Sequence, residues 1–370
     1  MKARLLTDDS VDDQTGLSVD DALARISSAA SSLTLRLYTY QPCVLVGRFQ
    51  HVRDEVDLNR CRELRVPVNR RPTGGGAIIM GPEQLGIALV VPPDSRAVGR
   101  KSASLMRDCA KGIVSALRSF GVETEFRGKN DLVVSGRKIA GLGLYQAQGG
   151  GILFHASLLL DLDIQYMLTV LKTAFGNTPD RGLDTISQRI ATLRGEVSPD
   201  VSISDLTQAV ELGFAKEFSI DFYRGHLSPQ ERMLANQLVA SQYGSRQWIY
   251  HSGARIKDRV GCYRLRTQGG TLDVRAIVAK STLKSVFVNG DFIAAENAIS
   301  DLESSLRWHK TDTDELNRTI ERSHLRNRQF WDRISAADIS QAVLGAIGRI
   351  DSDCVDPAPN SCFVRSGMTQ

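Results

Sequence analysis

The sequence predicts an α+β protein of two domains: a larger one over residues 1–225 and a smaller α+β one over 226–350, followed by a flexible tail over 351–370. Three observations carry this expectation. Stretches of period-two alternation such as Leu33–Tyr38 are interleaved with helical stripes such as Leu105, Cys109, Ile113, Leu117 and Phe120. The chain has 370 residues, more than one hydrophobic core usually organises. Ser228-Pro229-Gln230-Glu231 reads as a strong helix start: a cap, a proline at the first helical position and a glutamate three residues after the cap. The domain boundary is placed beside it.

Taken in order, Ser18 to Ala30 predicts an amphipathic helix, with Ser18 as cap and Asp20 and Asp21 in the first turn, where the helix dipole favours acids. Leu33–Tyr38 alternates as a strand with one buried face, and Pro42 breaks it. Val44–Gly47 resumes as a strand, and Asp57 to Leu64 can form a short helix. Ile78–Met80 and Leu85–Val91 read as strands joined at Gly81-Pro82, with Pro92-Pro93 ending the second. Ser102 to Phe120 is the most periodic stretch; Gly121 suits the position after its end, and Cys109 belongs to its buried stripe. Leu132–Val134 and the stretch from Arg137 form a hairpin around Ser135-Gly136. Gly149-Gly150-Gly151 reads as a flexible link, and Ile152–Leu160 as a strand buried on both faces. Helices follow over Asp163 to Leu171 and Leu206 to Phe218. In the second domain, Leu272–Ile277 and Leu283–Val288 alternate as strands. Asn289-Gly290-Asp291 turns the chain into a helix from about Ala294 to Leu306.

Composition excludes several classes. Apolar content of 42% and charged content of 24% are ordinary for a globular protein. With 46 basic and 42 acidic residues the net charge is +4, which argues against a protein built around nucleic-acid phosphates and leaves small anions open. The six cysteines contain no C-x-x-C pair, and their scatter fits a reducing compartment. The amino terminus turns acidic at Asp8-Asp9, and no apolar run approaches a membrane span. The expectation is a soluble cytoplasmic protein with neither nucleic acid nor membrane as partner.

Two arginines and three glycines form the most informative segment, Arg70-Arg71-Pro72-Thr73-Gly74-Gly75-Gly76-Ala77-Ile78-Ile79. Consecutive glycines cost backbone entropy and pack nothing. Their N–H groups can bind anions, and the arginines add planar anion contacts. A glycine-rich turn with two solvated arginines explains the same residues equally well. Neither a Walker loop nor a dinucleotide fingerprint fits the spacing. Lys138 can aim an ammonium at a carboxylate or phosphate held by that loop, although most strand lysines face water. Asn130-Asp131 suits a magnesium-phosphate contact or a simple Asx turn. His155, alone in an apolar strand, reads as a hydrogen-bonded core residue, and Ser187-Gln188-Arg189 can bring a further basic group or lie on the surface.

Together these segments resemble the lipoate–protein ligase family, within the biotin/lipoate ligase and octanoyltransferase superfamily. The resemblance rests on Arg70–Ala77, Gly128-Lys129-Asn130-Asp131-Leu132, Gly136-Arg137-Lys138-Ile139-Ala140-Gly141 and Phe154-His155-Ala156-Ser157-Leu158-Leu159, in family order. Arg36-Leu37-Tyr38 and Gly47-Arg48-Phe49-Gln50 fit upstream, and Asn289-Gly290-Asp291-Phe292 fits an accessory domain. The resemblance implies a mixed-sheet catalytic domain and a smaller accessory domain. It also implies a two-step reaction: ATP and lipoate give lipoyl-adenylate and pyrophosphate, and an acceptor lysine then takes the lipoyl group. Lys138 would be the catalytic lysine, contacting acyl carbonyl and phosphate. Arg70, Arg71, Gly74, Gly75, Gly76, Ala77, Ile78, Ile79, Asn130 and Asp131 would line the nucleotide, with Asp131 near magnesium. Gly47, Gly141, His155 and Ala156 would border the acyl pocket. The implied partner is a lipoyl-domain acceptor, such as a dehydrogenase E2 subunit or a glycine-cleavage H-protein, and the implied state is a monomer.

Two positions depart from the family pattern: Met80 stands where histidine is frequent, and Ala156 where glycine follows the strand histidine. Rival readings are an octanoyltransferase, a non-catalytic acyl-carrier-binding relative and a biotin ligase. The transferases of this superfamily place a nucleophilic cysteine just before the lysine hairpin. Val122 to Val134 contains none.

Overall fold

The computed structural model describes residues 2–28, 31–48, 50, 52–93, 102–127, 130–147, 151–172, 186–250, 259–290, 296–331 and 333–350. Phe49, Gly128-Lys129, Gly149-Gly150, Asp291-Phe292, Ala294 and the tail over 351–370 lie outside these residues.

The strands are β1 (Lys2–Val11), β2 (Thr34–Tyr40), β3 (Cys43–Val46), β4 (Val68–Arg70), β5 (Ile78–Met80), β6 (Gln84–Val91), β7 (Glu125–Arg127), β8 (Asp131–Val134), β9 (Arg137–Gln146), β10 (Ile152–Leu159) and β11 (Asp221–Arg224). Eight form one sheet in the order β11-β1-β2-β6-β10-β9-β8-β7. β1 runs parallel to both β2 and β11, and the remaining pairs are antiparallel, so the sheet is mixed as expected. A small sheet, β4-β3-β5, stands beside it. The Ser135-Gly136 turn has φ of 47° and 80°, the two positive values that a tight two-residue hairpin needs.

Both faces of the large sheet are covered. The Ser102–Ser119 and Ile203–Phe218 helices pack one face, burying Ile113, Leu117 and Phe214 against Leu35, Ile87 and Phe154. The Asp13–Ile26 and Pro229–Leu238 helices cover the other, with Leu17, Leu23 and Leu238 against Leu6, Tyr38 and Leu153. Every residue of β2 is therefore buried, not one face as the alternation suggested. That burial includes Arg36, whose charge is compensated: it donates to Asp8 at 2.7 Å, to Asp20 at 2.7 Å and to the Gly16 carbonyl at 3.0 Å. β10 departs from expectation in the opposite sense. His155, Ser157 and Leu159 are only half-buried because that face borders a cavity.

The first helix begins at Asp13, not near Ser18. Asp12 caps it by accepting the Thr15 N–H at 2.9 Å. Asp20 and Asp21 sit inside it and serve packing: Asp20 holds Arg36 and Tyr38, and Asp21 holds Arg25 and Tyr243. β1, ahead of this helix, went unread because its acidic second half hides the strand pattern.

The boundary expected at residue 225 is also corrected. The capping box of Ser228 and Glu231 is present, and Glu231 takes both guanidinium ends of Arg4 at 2.9 and 2.6 Å. The helix it starts belongs to the first domain, because Ala235, Leu238 and Tyr243 share a core with Leu6 and Leu17. The second core begins only beyond residue 258. Its antiparallel sheet is β12 (Arg259–Thr267), β13 (Gly270–Ala279), β14 (Thr282–Gly290) and β15 (His309–Lys310). One face packs the Glu296–Leu306, Thr313–Arg326 and Ala336–Gly348 helices through Val274, Ala276, Val286, Leu302, Ile320 and Val343. The other face, with Ile277, Ser285 and Phe287, turns toward the first domain. No described helix is long and apolar enough to cross a membrane.

A chain ending after residue 250 is expected to melt cooperatively, since it keeps both cores that sandwich the large sheet. A chain ending after residue 225 loses the buried side chains of Ala235, Leu238, Tyr243 and Ile249, the larger of them worth about 1.5–3 kcal/mol each, and is expected to aggregate or melt far lower. Equal melting temperatures for the two truncations would refute the corrected boundary.

Candidate active site

Between the two domains lies a cavity of about 690 Å³, a size that takes a cofactor-sized ligand. Its walls are the glycine loop between β4 and β5, the cavity-facing residues of β9 and β10, and the half-buried face of the second-domain sheet.

The adjacent arginines of β4 have different tasks. Arg70 is fully buried and does not line the cavity. Its guanidinium donates to the carbonyls of Gly47 (2.9 Å), Arg48 (2.9 Å), Gln50 (2.7 Å) and Trp248 (3.0 Å). Burial, then the neighbouring Arg48, lowers its pKa to about 10. The nucleotide contact expected of Arg70 is therefore replaced by a structural role. Arg71 does line the cavity. It donates to the Leu45 carbonyl at 2.8 Å and clamps the loop through the carbonyls of Gly74 (3.0 Å) and Gly76 (2.6 Å). Burial lowers its pKa to about 10 as well.

The clamp turns Gly75 left-handed, with φ at 96°, where a side chain is strained. Gly74, Gly75, Gly76, Ala77, Ile78 and Ile79 all line the cavity. Among the described residues, the N–H groups of the three glycines have no acceptor. Peptide N–H groups left open in this way form an anion-binding concavity. Gly47 lies beneath the loop rather than in the cavity wall: a Cβ there would sit 2.1 Å from the Gly75 oxygen.

Lys138 projects from β9 into the cavity wall, its side chain about a third exposed. Gly141 makes room for it, since a Cβ there would fall 3.1 Å from Nζ. Nζ lies 2.7 Å from Oδ1 of Asp131, and Oδ2 of Asp131 accepts from Arg307 at 2.6 Å. Burial raises the Asp131 pKa, but Lys138 and Arg307 outweigh it and hold the group below the usual carboxylate range. Both carboxylate oxygens are thus taken by cations, and Asp131 does not line the cavity. That placement does not fit the magnesium role expected of Asp131, and no cluster of metal-ligating side chains occurs among the described residues. Asn130 does reach the cavity wall, its amide donating to the Leu142 carbonyl at 3.3 Å.

His155 and Ala156 line the opposite side. Nε2 of His155 is 2.8 Å from Thr73 Oγ1. Its depth in the protein, then Arg71, lowers the pKa to about 3, so the imidazole is neutral. Met80, the departure from the family pattern, lines the cavity, and its sulfur accepts from Ser157 at 3.2 Å. Leu17, Leu45, Leu162 and Met167 make neighbouring wall apolar. Sequence reasoning missed Arg53, Lys172, Lys284, Arg307 and Trp308, all in the wall. Lys284 crosses the domains to Glu55 at 2.7 Å. Arg307 stands 176 residues from its partner, and no local motif signals such a pair. Arg189 does reach the cavity, as one reading of its triplet held.

The desolvated imidazole of His155, at the cavity edge, sets a pH dependence. Its folded pKa of about 3 lies below the ordinary 6.5, so an unfolded chain takes up the proton first as pH falls. The fold loses stability from this group between those two values. In His155→Gln that loss is absent. Denaturant unfolding at about pH 7.5 and about pH 4.5 should show the stability difference shifting in favour of the variant at the lower pH; a difference independent of pH would contradict a neutral His155.

Residues 12–215 match the family described as "Lipoyl protein ligase A/B catalytic domain". Similar proteins include the lipoate–protein ligase of Streptococcus pyogenes, 24% identical over 327 residues, covering 80% of this chain and 90% of that one. They also include the octanoyltransferase LipM of Clostridioides difficile, 24% identical over 257 residues, covering 64% of this chain and 94% of that one. Among solved structures, a bipartite lipoate protein ligase from Thermoplasma acidophilum, described with its E2 lipoyl domain, superposes with a TM-score of 0.62 at 26% identity, covering 70% of this chain and all of that one. A lipoate-protein ligase A bound with ATP superposes with a TM-score of 0.59 at 26% identity, covering 67% of this chain and 98% of that one. Because the family match spans more than half the chain, this protein belongs to the lipoyl protein ligase A/B catalytic-domain family and is an enzyme of the lipoate ligase and octanoyltransferase class.

Proposed function

We propose that the chain is an ATP-dependent lipoate–protein ligase, activating lipoate as lipoyl-adenylate and passing the lipoyl group to a lysine of an acceptor lipoyl domain. The observation that carries this over octanoyl transfer is chemical. A transferase working through a thioester needs a thiolate at the acyl carbonyl. Among the described residues, no cysteine lines the cavity. Cys43, Cys61 and Cys109 are buried, and burial pushes their thiols up, Cys61 to about 11. Cys262, on β12, is disulfide-bonded, which departs from the reducing compartment that the scatter of cysteines suggested; Cys354 and Cys362 lie outside the described residues.

The cavity is instead equipped for anions at one end and an acyl chain at the other. In the first half-reaction the lipoate carboxylate attacks the α-phosphorus of ATP, and pyrophosphate leaves with the electron pair of the broken P–O bond. The open N–H groups of Gly74 to Gly76 receive phosphate oxygens. The Lys138 ammonium faces the mixed anhydride, where negative charge spreads in the transition state. The neutral imidazole of His155 and the apolar wall beside Met80 border the acyl chain. In the second half-reaction the acceptor amine attacks the acyl carbonyl and AMP departs. A carboxylate alone offers no such leaving group, which is why ATP is needed. The acceptor assignment draws support from the Thermoplasma acidophilum ligase, described together with its E2 lipoyl domain.

The test is pyrophosphate release with ATP and lipoate, followed by mass spectrometry of an added lipoyl domain. Release should depend on lipoate, and Lys138→Ala should lower it by about 10²–10³-fold with little change in melting temperature. Acyl transfer from octanoyl carrier protein without ATP, and no pyrophosphate with it, would establish the transferase instead.

A further inference from the structure

The Glu296–Leu306 helix belongs to the second domain but ends beside Lys138. Its next two residues, Arg307 and Trp308, both line the cavity. Trp308 has φ of 62°, a left-handed conformation at a position just past a helix where glycine is usual. A bulky residue held there is an outlier, and such outliers cluster where a side chain must be aimed.

Three ion pairs tie this helix and the residue after it to the first domain: Asp301 with Arg127 on β7, Glu303 with Arg189, and Arg307 with Asp131 on β8. Arg307 reaches Asp131 Oδ2, while Lys138 holds Oδ1 of the same carboxylate. One turn earlier, Glu303 takes the Arg189 guanidinium at 2.5 and 2.8 Å. The Arg189 main chain in turn accepts the Lys138 N–H at 2.8 Å, and Ala191 donates back to the Lys138 carbonyl at 2.8 Å. Lys138 is thus linked to one helix of the other domain by side chain and by main chain.

We infer that Arg307 is a positioning residue for Lys138, acting through the carboxylate they share across the domain interface; the reaction it serves rests on the ligase reading above. A buried aspartate paired with one lysine is a neutral, closed couple that spends the ammonium on the carboxylate. With a second cation on the other oxygen the cluster carries a net positive charge at the cavity edge. The lysine is then held in place without being neutralised, and a phosphate arriving in the cavity meets that charge. The second domain thereby completes the electrostatics of a lysine on the first.

Steady-state pyrophosphate release and a double-mutant cycle test this in the full chain. Arg307→Gln should lower kcat by about tenfold or more while each KM moves by less than about threefold. Arg307→Lys should recover most of that loss. The double variant with Asp131→Asn should lose no more than Asp131→Asn alone, because both changes act on one cluster. Losses that multiply, or a KM effect with kcat intact, would overturn the inference. Arg307→Met serves if Arg307→Gln does not fold. A second readout is independent of the reaction: acetylation of Lys138 by acetic anhydride in ligand-free protein, followed by peptide mass spectrometry. It should slow at least about threefold in Arg307→Gln, where Asp131 grips the ammonium alone. If wild-type chain released no pyrophosphate, the ligase reading would fail, and this labelling rate would still decide the role of Arg307; an unchanged rate would sink it.

Discussion

The site depends on two guanidiniums that never need to meet a ligand in order to matter. Arg70 and Arg71 are buried beneath the glycine loop and spend their donors on main-chain carbonyls. A loop of three glycines has no side chains with which to define its own shape. Here the shape is imposed from below. Arg70 binds the Gly47–Gln50 turn to the carbonyls of Trp248 and Ile249, and Arg71 gathers the loop carbonyls inward. Burying a cation this way is costly unless its donors are satisfied. Each of these arginines is met by several oxygens, which is what makes so glycine-rich a segment definite enough to bind.

The chemistry then divides between rigid and borrowed parts. The hairpin of β8 and β9 brings Asp131 and Lys138 together by register alone, with Gly141 clearing space for the side chain. The opposing wall comes from a separate core more than a hundred residues later in the chain. A cavity assembled from two cores can offer an apolar end and a cationic end without compromising either. On the ligase reading proposed above, mixed-anhydride chemistry uses that combination, and the cavity carries no thiol among its described lining residues.

Much of this was legible in the sequence, for identifiable reasons. The Ser102–Ser119 helix, the Ser135-Gly136 hairpin and the short helices expected from Asp57 and from Asp163 follow from local rules acting within a few residues. The glycine loop and Lys138 were legible as a pattern of short motifs. What escaped depends on distance. β1 is defined by β2 and β11 beside it, and its own acidic second half conceals it. The Ser228 helix was read correctly as a helix and assigned to the wrong domain, since a capping box says where a helix starts and nothing about which core it enters. Arg70 and Arg71 are equivalent as letters, and only the carbonyls around them separate a pin from a wall. The Arg307–Asp131 pair joins segments with no sequence relation at all.

The half-buried face of the second-domain sheet has a consequence for synthesis. A nascent chain presents its glycine loop and Lys138 long before Lys284, Phe287, Arg307 and Trp308 have emerged to wall them in. On the ligase reading proposed above, an acyl-phosphate anhydride formed in an unroofed site would be lost to hydrolysis. With part of the wall supplied by a separate, later core, exclusion of water from the site depends on that second core having folded.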